Sequence, residues 1–245
     1  MRILCISDIH GREDALAAVL ATADKTGYTH LLVAGDLCFP GPAPLGVWRR
    51  LVAARALCVQ GLSDKALATL DPATIKPSND HERRMLERFT EVRRELGDAV
   101  VRALGQLPLT HRMPLPDGGE LLLVHGSPAD PTQTISHDMT DDEVRHLLGI
   151  DPADIVVCGG THVAFDRTVM GVRIVNVGSV GEAPGGISAS GGGDHAHATF
   201  IDIRTPSAAG GGGGPGASSS GSLRASSSSG LALEVRVEQI DVPLA

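Results

Sequence analysis

Five short apolar runs in this chain each end in a polar cluster made of Asp, His, Ser and Gly. Arg2 to Ser7 runs into Asp8-Ile9-His10-Gly11. His30 to Ala34 closes on Gly35-Asp36. Ala56 to Gln60 ends at Gly61, with Ser63 and Asp64 just beyond. Glu120 to Val124 meets His125, and Ile155 to Cys158 leads through Gly159-Gly160-Thr161 to His162. Runs of this length and composition read as strands. Between them, Ala15, Leu16, Val19 and Leu20 recur at helical spacing, and a helix is expected around Leu45 to Ala54. Strands alternating with helices imply an α/β fold. In open α/β sheets the carboxyl ends of the strands meet at the ligand crevice. The polar punctuation therefore gathers the chemistry at the strand ends.

The rest of the chain adds organisation. Asn79 and Glu82 form a capping pair before the apolar face Met85, Phe89, Val92 and Leu96, and Gly97 is a stop signal. A second helix follows over residues 98–104, so 79–104 reads as a helical insertion able to cover a site. Arg167 to Met170 and Val172 to Asn176 flank Gly171 as a hairpin. Ala198 to Ile203 and Leu233 to Ile240 form another, interrupted at its tip. The interruption, residues 205–230, holds eight Gly and nine Ser, with Arg224 its one charge. Such a segment buries too little to offset its ordering entropy and reads as a disordered loop insertion. The whole chain, 1–245, is expected to be a single domain.

Composition excludes several function classes. The net charge of −8 disfavours general binding to nucleic acid or anionic membrane. Four Phe, one Trp and one Tyr make no stacking platform for single strands. No segment approaches the roughly 20 apolar residues that span a bilayer, and the first residues lack a signal-peptide core. Cys5, Cys38, Cys58 and Cys158 form no CxxC pair and lie in or beside apolar runs, which suits buried thiols in the cytoplasm. Walker, GxGxxG and GxSxG elements are missing from the sequence.

Asp8, His10, Asp36, His125 and His162 offer carboxylate oxygen and imidazole nitrogen, a donor set for Mn, Fe or Zn rather than Ca or Mg. Their order resembles the calcineurin-like metallophosphoesterases, in their compact bacterial and archaeal branch. The resemblance rests on Ser7-Asp8-Ile9-His10-Gly11, Ala34-Gly35-Asp36, Gly61-Leu62-Ser63-Asp64, Val124-His125-Gly126-Ser127-Pro128, Gly159-Gly160-Thr161-His162 and Asn176-Val177-Gly178-Ser179-Val180-Gly181. It implies two packed β-sheets flanked by helices in four layers, with two metals above the strand ends. It also implies hydrolysis of a phosphodiester or phosphomonoester, a small molecule or nucleotide, by a metal-activated water. Asp8, Asp36 and His125 would be the catalytic residues. Asp8, His10, Asp36 and His162 would serve the first metal. Asp36, His125 and positions 62 and 160 would serve the second.

Two of those positions depart from the family pattern. Leu62 stands where the pattern has Asn, and Gly160 where it has the first His of Gly-His-x-His. Neither side chain can donate an electron pair, and both losses strike the second metal. Three readings follow. One is a phosphoesterase with one tight metal and an impaired second. Another is a catalytically silent member acting as a binding or scaffold module with a protein partner. The third is compensation by Ser63, Asp130, His137 or Asn176. Arg12 reads as a surface residue or a phosphate contact. His195-Ala196-His197 is a further His pair; a second metal site there is disfavoured without a carboxylate of known proximity, though Asp194 keeps it open.

Overall fold

The computed structural model describes residues 1–184, 194–205 and 233–244. In chain order these form β1 (Arg2–Ile6), α1 (Glu13–Thr26), β2 (His30–Val33), α2 (Pro44–Ala53), β3 (Leu57–Cys58), α3 (Leu62–Thr69), α4 (Asp80–Gly105), β4 (Thr110–Pro114), β5 (Glu120–Val124), α5 (Asp141–Leu148), β6 (Ile155–Cys158), β7 (Phe165–Val169), β8 (Val172–Asn176), β9 (His195–Arg204) and β10 (Glu234–Pro243). Two five-stranded sheets result, ordered β10-β9-β1-β2-β3 and β4-β5-β6-β8-β7. The centre of each is parallel: β1 with β2 and β3 in one, β5 with β6 and β8 in the other.

Strand alternation sorts the side chains into layers. Ile3, Cys5, Leu32 and Ala34 of the first sheet meet Leu121, Leu123, Ile155 and Val157 of the second in one buried cluster. The intervening residues Leu4, Ile6, Leu31 and Val33 face the other way, against Leu16 and Val19 of α1, Val47 of α2 and Phe89 and Val92 of α4. On the far side, Val124, Val156, Cys158 and Ile174 pack against Val144 and Leu148 of α5. Burying each such aliphatic side chain is worth about 1.5–3 kcal/mol, which is what holds four layers together. The α/β sandwich expected from the sequence is the one observed.

Local signals explain most element ends. The first turn of α1 carries Glu13 and Asp14 and its last turn Lys25, each sign complementing the helix dipole. Asn79 Oδ1 accepts from Glu82 N at 2.9 Å and caps α4. Gly97, at φ 72° and ψ 162°, breaks α4 where the stop was expected. The apolar face of α4 packs in the helical layer over the first sheet. Its Arg88 reaches the carbonyls of Pro40 and Gly41. The hairpins β7–β8 and β9–β10 are both antiparallel. Beyond Thr205, the Gly/Ser-rich insertion lies outside the described residues.

Several elements differ from expectation. The strand anticipated over Ala56 to Gln60 is only Leu57–Cys58. The strand β4 and the helices α3 and α5 were not anticipated. β4 is an edge strand that buries Met113 alone, so its sequence carries almost no period-two signal.

Candidate metal centre

The five candidate residues follow β1, β2, β5 and β6, in turns that interlock. Asp8 N donates to Gly35 O and His10 N to Asp36 O, both at 3.0 Å. From the turn after β8, Gly181 N and the Ser179 hydroxyl donate to Asp8 O, each at 2.9 Å. The backbone pays for this arrangement. Asp8, His10, Asp36 and His162 have φ of 52°, 50°, 54° and 62°, the left-handed region. Such a conformation costs an L-residue roughly 1–2 kcal/mol, and strain of this kind gathers at functional sites.

The residues fall into two overlapping sets, each with ligand atoms mutually within 4.8 Å: Asp8, His10 and His162, and Asp8, Asp36 and His125. Asp8 is common to both. Asp36, expected to bridge, sits with Asp8 and His125 and outside the set of His10 and His162 at that spacing.

In the first set, His10 Nε2 and His162 Nε2 are 3.1 Å apart. Asp8 Oδ1 lies 3.3 Å from His162 Nε2 and 3.7 Å from His10 Nε2. These spacings match the edges of a coordination shell with bonds of about 2.1 Å, for which a tetrahedron predicts about 3.4 Å. Asp8 is fully buried, and its Oδ1 has no hydrogen-bond partner. Its Oδ2 accepts from Gly160 N at 2.9 Å. An unpartnered buried carboxylate oxygen facing two imidazole nitrogens fits a cation. Burial alone would raise the Asp8 pKa, but the pull of His162, His125 and Ser7 outweighs it and holds the carboxyl below its ordinary value. Burial likewise works to lower the His162 pKa, yet Asp8, Glu182 and Asp36 raise it overall.

Backbone carbonyls set the ring tautomers. His10 Nδ1 lies 2.6 Å from Phe39 O, and His125 Nδ1 lies 2.6 Å from Ala34 O. A carbonyl only accepts, so each Nδ1 carries the proton and each Nε2 presents a lone pair to the site. Glu182 Oε2 lies 3.5 Å from His162 Nδ1 and 4.0 Å from His10 Nε2, a looser contact from a half-exposed side chain.

In the second set, His125 Nε2 lies 3.7 Å from Asp36 Oδ2. Asp36 Oδ1 is already taken by Ser63 N, at 2.8 Å. Behind Asp36, the buried Asp64 accepts from the backbone N–H groups of Asp36, Leu37 and Gly61 at 2.9–3.0 Å. Burial, and then the charge of Asp36, push the Asp64 pKa up to about 6 against those donors.

The departures at 62 and 160 lie on this side. Leu62 opens α3 and is 44% exposed, with nothing to offer a cation. A Cβ at Gly160 would lie 3.4 Å from His125 Nε2, so the missing side chain would start beside that ring. The same Cβ would come within 2.6 Å of Thr134 Cγ2. Of the compensating candidates, Ser63 touches Asp36 through its N–H. Asp130 accepts from Thr132, His137 is exposed, and Asn176 spends Nδ2 on Gly159 O and Thr161 Oγ1 and Oδ1 on Gly178 N. Arg12 directs its guanidinium fork onto Asp14, at 3.0 and 2.8 Å. Sequence reasoning missed Glu182 and Thr134 as neighbours of the site, because no local pattern ties them to it.

A family profile, the calcineurin-like phosphoesterase superfamily domain, matches residues 1–197. The chain belongs to this superfamily. No curated protein sequence matches it significantly. Among solved structures, this superfamily member is similar to a hypothetical protein from Pyrococcus horikoshii OT3, with a TM-score of 0.67 and 20% identity over 82% of this chain and 83% of that one. It is similar to a metallophosphoesterase from Sphaerobacter thermophilus, with a TM-score of 0.61 and 25% identity over 82% of each chain. A putative diadenosine tetraphosphatase gives 0.51 at 21% identity, over 81% of this chain and 88% of the other. Membership makes a divalent cation and a phosphate ester the general chemistry to which this arrangement answers. No helix among the described residues is long and apolar enough to cross a membrane.

Proposed function

We propose that the chain is a metal-dependent phosphoesterase with one well-formed cation position, held by Asp8, His10 and His162, and an adjoining impaired one at Asp36 and His125. The observation that carries this reading is the unpartnered, buried Asp8 Oδ1 facing two Nε2 atoms. A cation of the Mn, Fe or Zn class bound there would supply Lewis acidity to a phosphoryl oxygen and lower the pKa of water.

The chain's own residues supply the rest. Carbonyls of Phe39 and Ala34 keep His10 and His125 in the tautomer with Nε2 free. Asp64 holds the turn that carries Asp36. Asp36 and His125 remain available to a second, weaker cation or to the substrate. We read residues 1–245 as one domain, since β1 and β9–β10 share a sheet. The substrate is a small phosphate ester or nucleotide. Four unpaired cysteines suit the cytoplasm; burial pushes the Cys58 and Cys158 thiols up to about 12.

The test is hydrolysis of bis-p-nitrophenyl phosphate by the metal-loaded chain with Mn²⁺. Turnover well above an Asp8→Ala control is expected. A folded, metal-loaded sample no faster than that control sinks the reading. That outcome would favour a silent scaffold, the alternative motivated by the two missing donors at Leu62 and Gly160.

A further inference from the structure

A second His-rich cluster lies outside the centre described above. His195 and His197 are two apart on β9, so both project from the same face of the sheet. Their rings are 5.4 Å apart between centroids and inclined at 49°. The carboxylate that the local sequence does not supply comes from the next strand. Asp241 of β10 is paired with His197 across the antiparallel ladder, and its Oδ1 lies 3.4 Å from His197 Nε2. One ligand atom from each of His195, His197 and Asp241 lies within 4.8 Å of the other two.

Neighbouring groups orient both rings. Asp194 Oδ1 lies 2.7 Å from His195 Nδ1, which leaves Nε2 as the ligating nitrogen. Carboxylate on one ring nitrogen and cation on the other is the usual support of a metal-bound imidazole. His197 turns its Nδ1 side into the Gly178 turn, where even a Cβ on that glycine would approach to 2.3 Å. Its Nε2 is therefore the nitrogen facing Asp241. A long surface ion pair needs one imidazole at most. Two imidazoles and a carboxylate converging from two strands, with a carboxylate behind one of them, form a ligand set.

We propose that His195, His197 and Asp241 form a further cation site, of two nitrogens and one oxygen, that takes a borderline divalent ion of the zinc class. Such a donor set favours imidazole-binding ions over Mg²⁺ or Ca²⁺. The site ties the start of β9 to the end of β10. It backs onto the turn whose Ser179 and Gly181 hold Asp8, since His197 N donates to Ser179 O at 2.9 Å.

Zinc binding by the full, chelator-stripped chain tests this independently of catalysis. In Asp8→Asn/Asp36→Asn, which disables the strand-end centre, one zinc per chain should remain by equilibrium dialysis and metal analysis. Adding His195→Ala, His197→Ala or Asp241→Asn should weaken that ion by more than about tenfold. A folded Asp8→Asn/Asp36→Asn chain that holds no zinc overturns the proposal. So does retained zinc indifferent to the added substitutions. Should the Asp8→Asn/Asp36→Asn chain fail to fold, His195→Ala/His197→Ala in the otherwise unchanged chain must lower zinc stoichiometry by one. Unchanged stoichiometry there overturns it equally.

Discussion

The two halves of the strand-end centre share Asp8 but are built to different standards. On the His10–His162 side, three candidate ligand atoms converge within 3.1–3.7 Å, His10 Nδ1 faces the Phe39 carbonyl, and Glu182 lies 3.5 Å from His162 Nδ1. On the Asp36–His125 side, His125 is equally well oriented, and Asp36 gives one oxygen to Ser63 N just as Asp8 gives one to Gly160 N. The remaining donors would have to come from positions occupied by Leu62 and Gly160. Under the proposed reading, the second position has the framework of a site without its full set of donors. The carbonyl on His125 and the Asp64 brace are in place, while positions 62 and 160 offer no donor beside them. The Thr134 methyl also stands where a side chain at 160 would begin.

The sharpest way to break this comparison is to remove the shared residue. Asp8→Ala should lower hydrolysis of bis-p-nitrophenyl phosphate by on the order of 10³-fold or more and empty the strand-end centre. Metal analysis and initial rates check it. Retention of metal and rate would refute a centre organised on Asp8.

Next in size is the brace. Asp64→Ala leaves three backbone N–H groups without their acceptor in a buried turn. A loss of about 3 kcal/mol is expected in urea denaturation of the metal-free chain. A midpoint unchanged from the parent would mean the turn around Asp36 stands without it.

Restoring the poorer half is a finer test. Leu62→Asn with Gly160→His should move strand-end metal from about one ion toward two per chain, but the structure adds a condition. The new side chain meets Thr134, and residue 160 has φ +76°. Gain should therefore be small without Thr134→Ala and larger with it. Equal stoichiometry in the parent, the two-residue and the three-residue variants would remove Leu62 and Gly160 as the cause of the deficit.

The smallest expected effect is at Glu182. Glu182→Gln keeps the shape but weakens the partner of His162 Nδ1, and should cost about tenfold in metal affinity at the His10–His162 half. Competition with a chromogenic chelator reads this directly. An effect as large as that of Asp8→Ala would make Glu182 a ligand rather than an orienting group.

Much of this was legible in advance. The strand ends were visible because each apolar run stops abruptly at Asp, His or Gly, and a strand that turns at the sheet edge must stop that way. The helix after Asn79 and its break at Gly97 were visible because capping and left-handed glycine are local chemistry. Edge strand β4 was not visible, with one buried side chain in five residues. Helix α5 does carry a readable signal, the Thr140 and Glu143 capping box. Asp64 lay in the polar string after the third apolar run; its contact with Gly61 N is a local cap of α3, but those with Asp36 N and Leu37 N are long-range and have no sequence signature.

By itself, the sequence determined which residue types stand at the strand ends, and that Leu62 and Gly160 bring no donor atoms. Those facts follow from covalent identity and from short-range periodicity. Tertiary structure alone decided that Asp8, not Asp36, is common to both clusters of candidate ligands, that Glu182 lies beside His162, and that Asp241 lies beside the His195–His197 pair. Each of those depends on pairs far apart in the chain, brought together by sheet register and by left-handed turns. A displacement of a few ångströms there changes which atoms can share one cation.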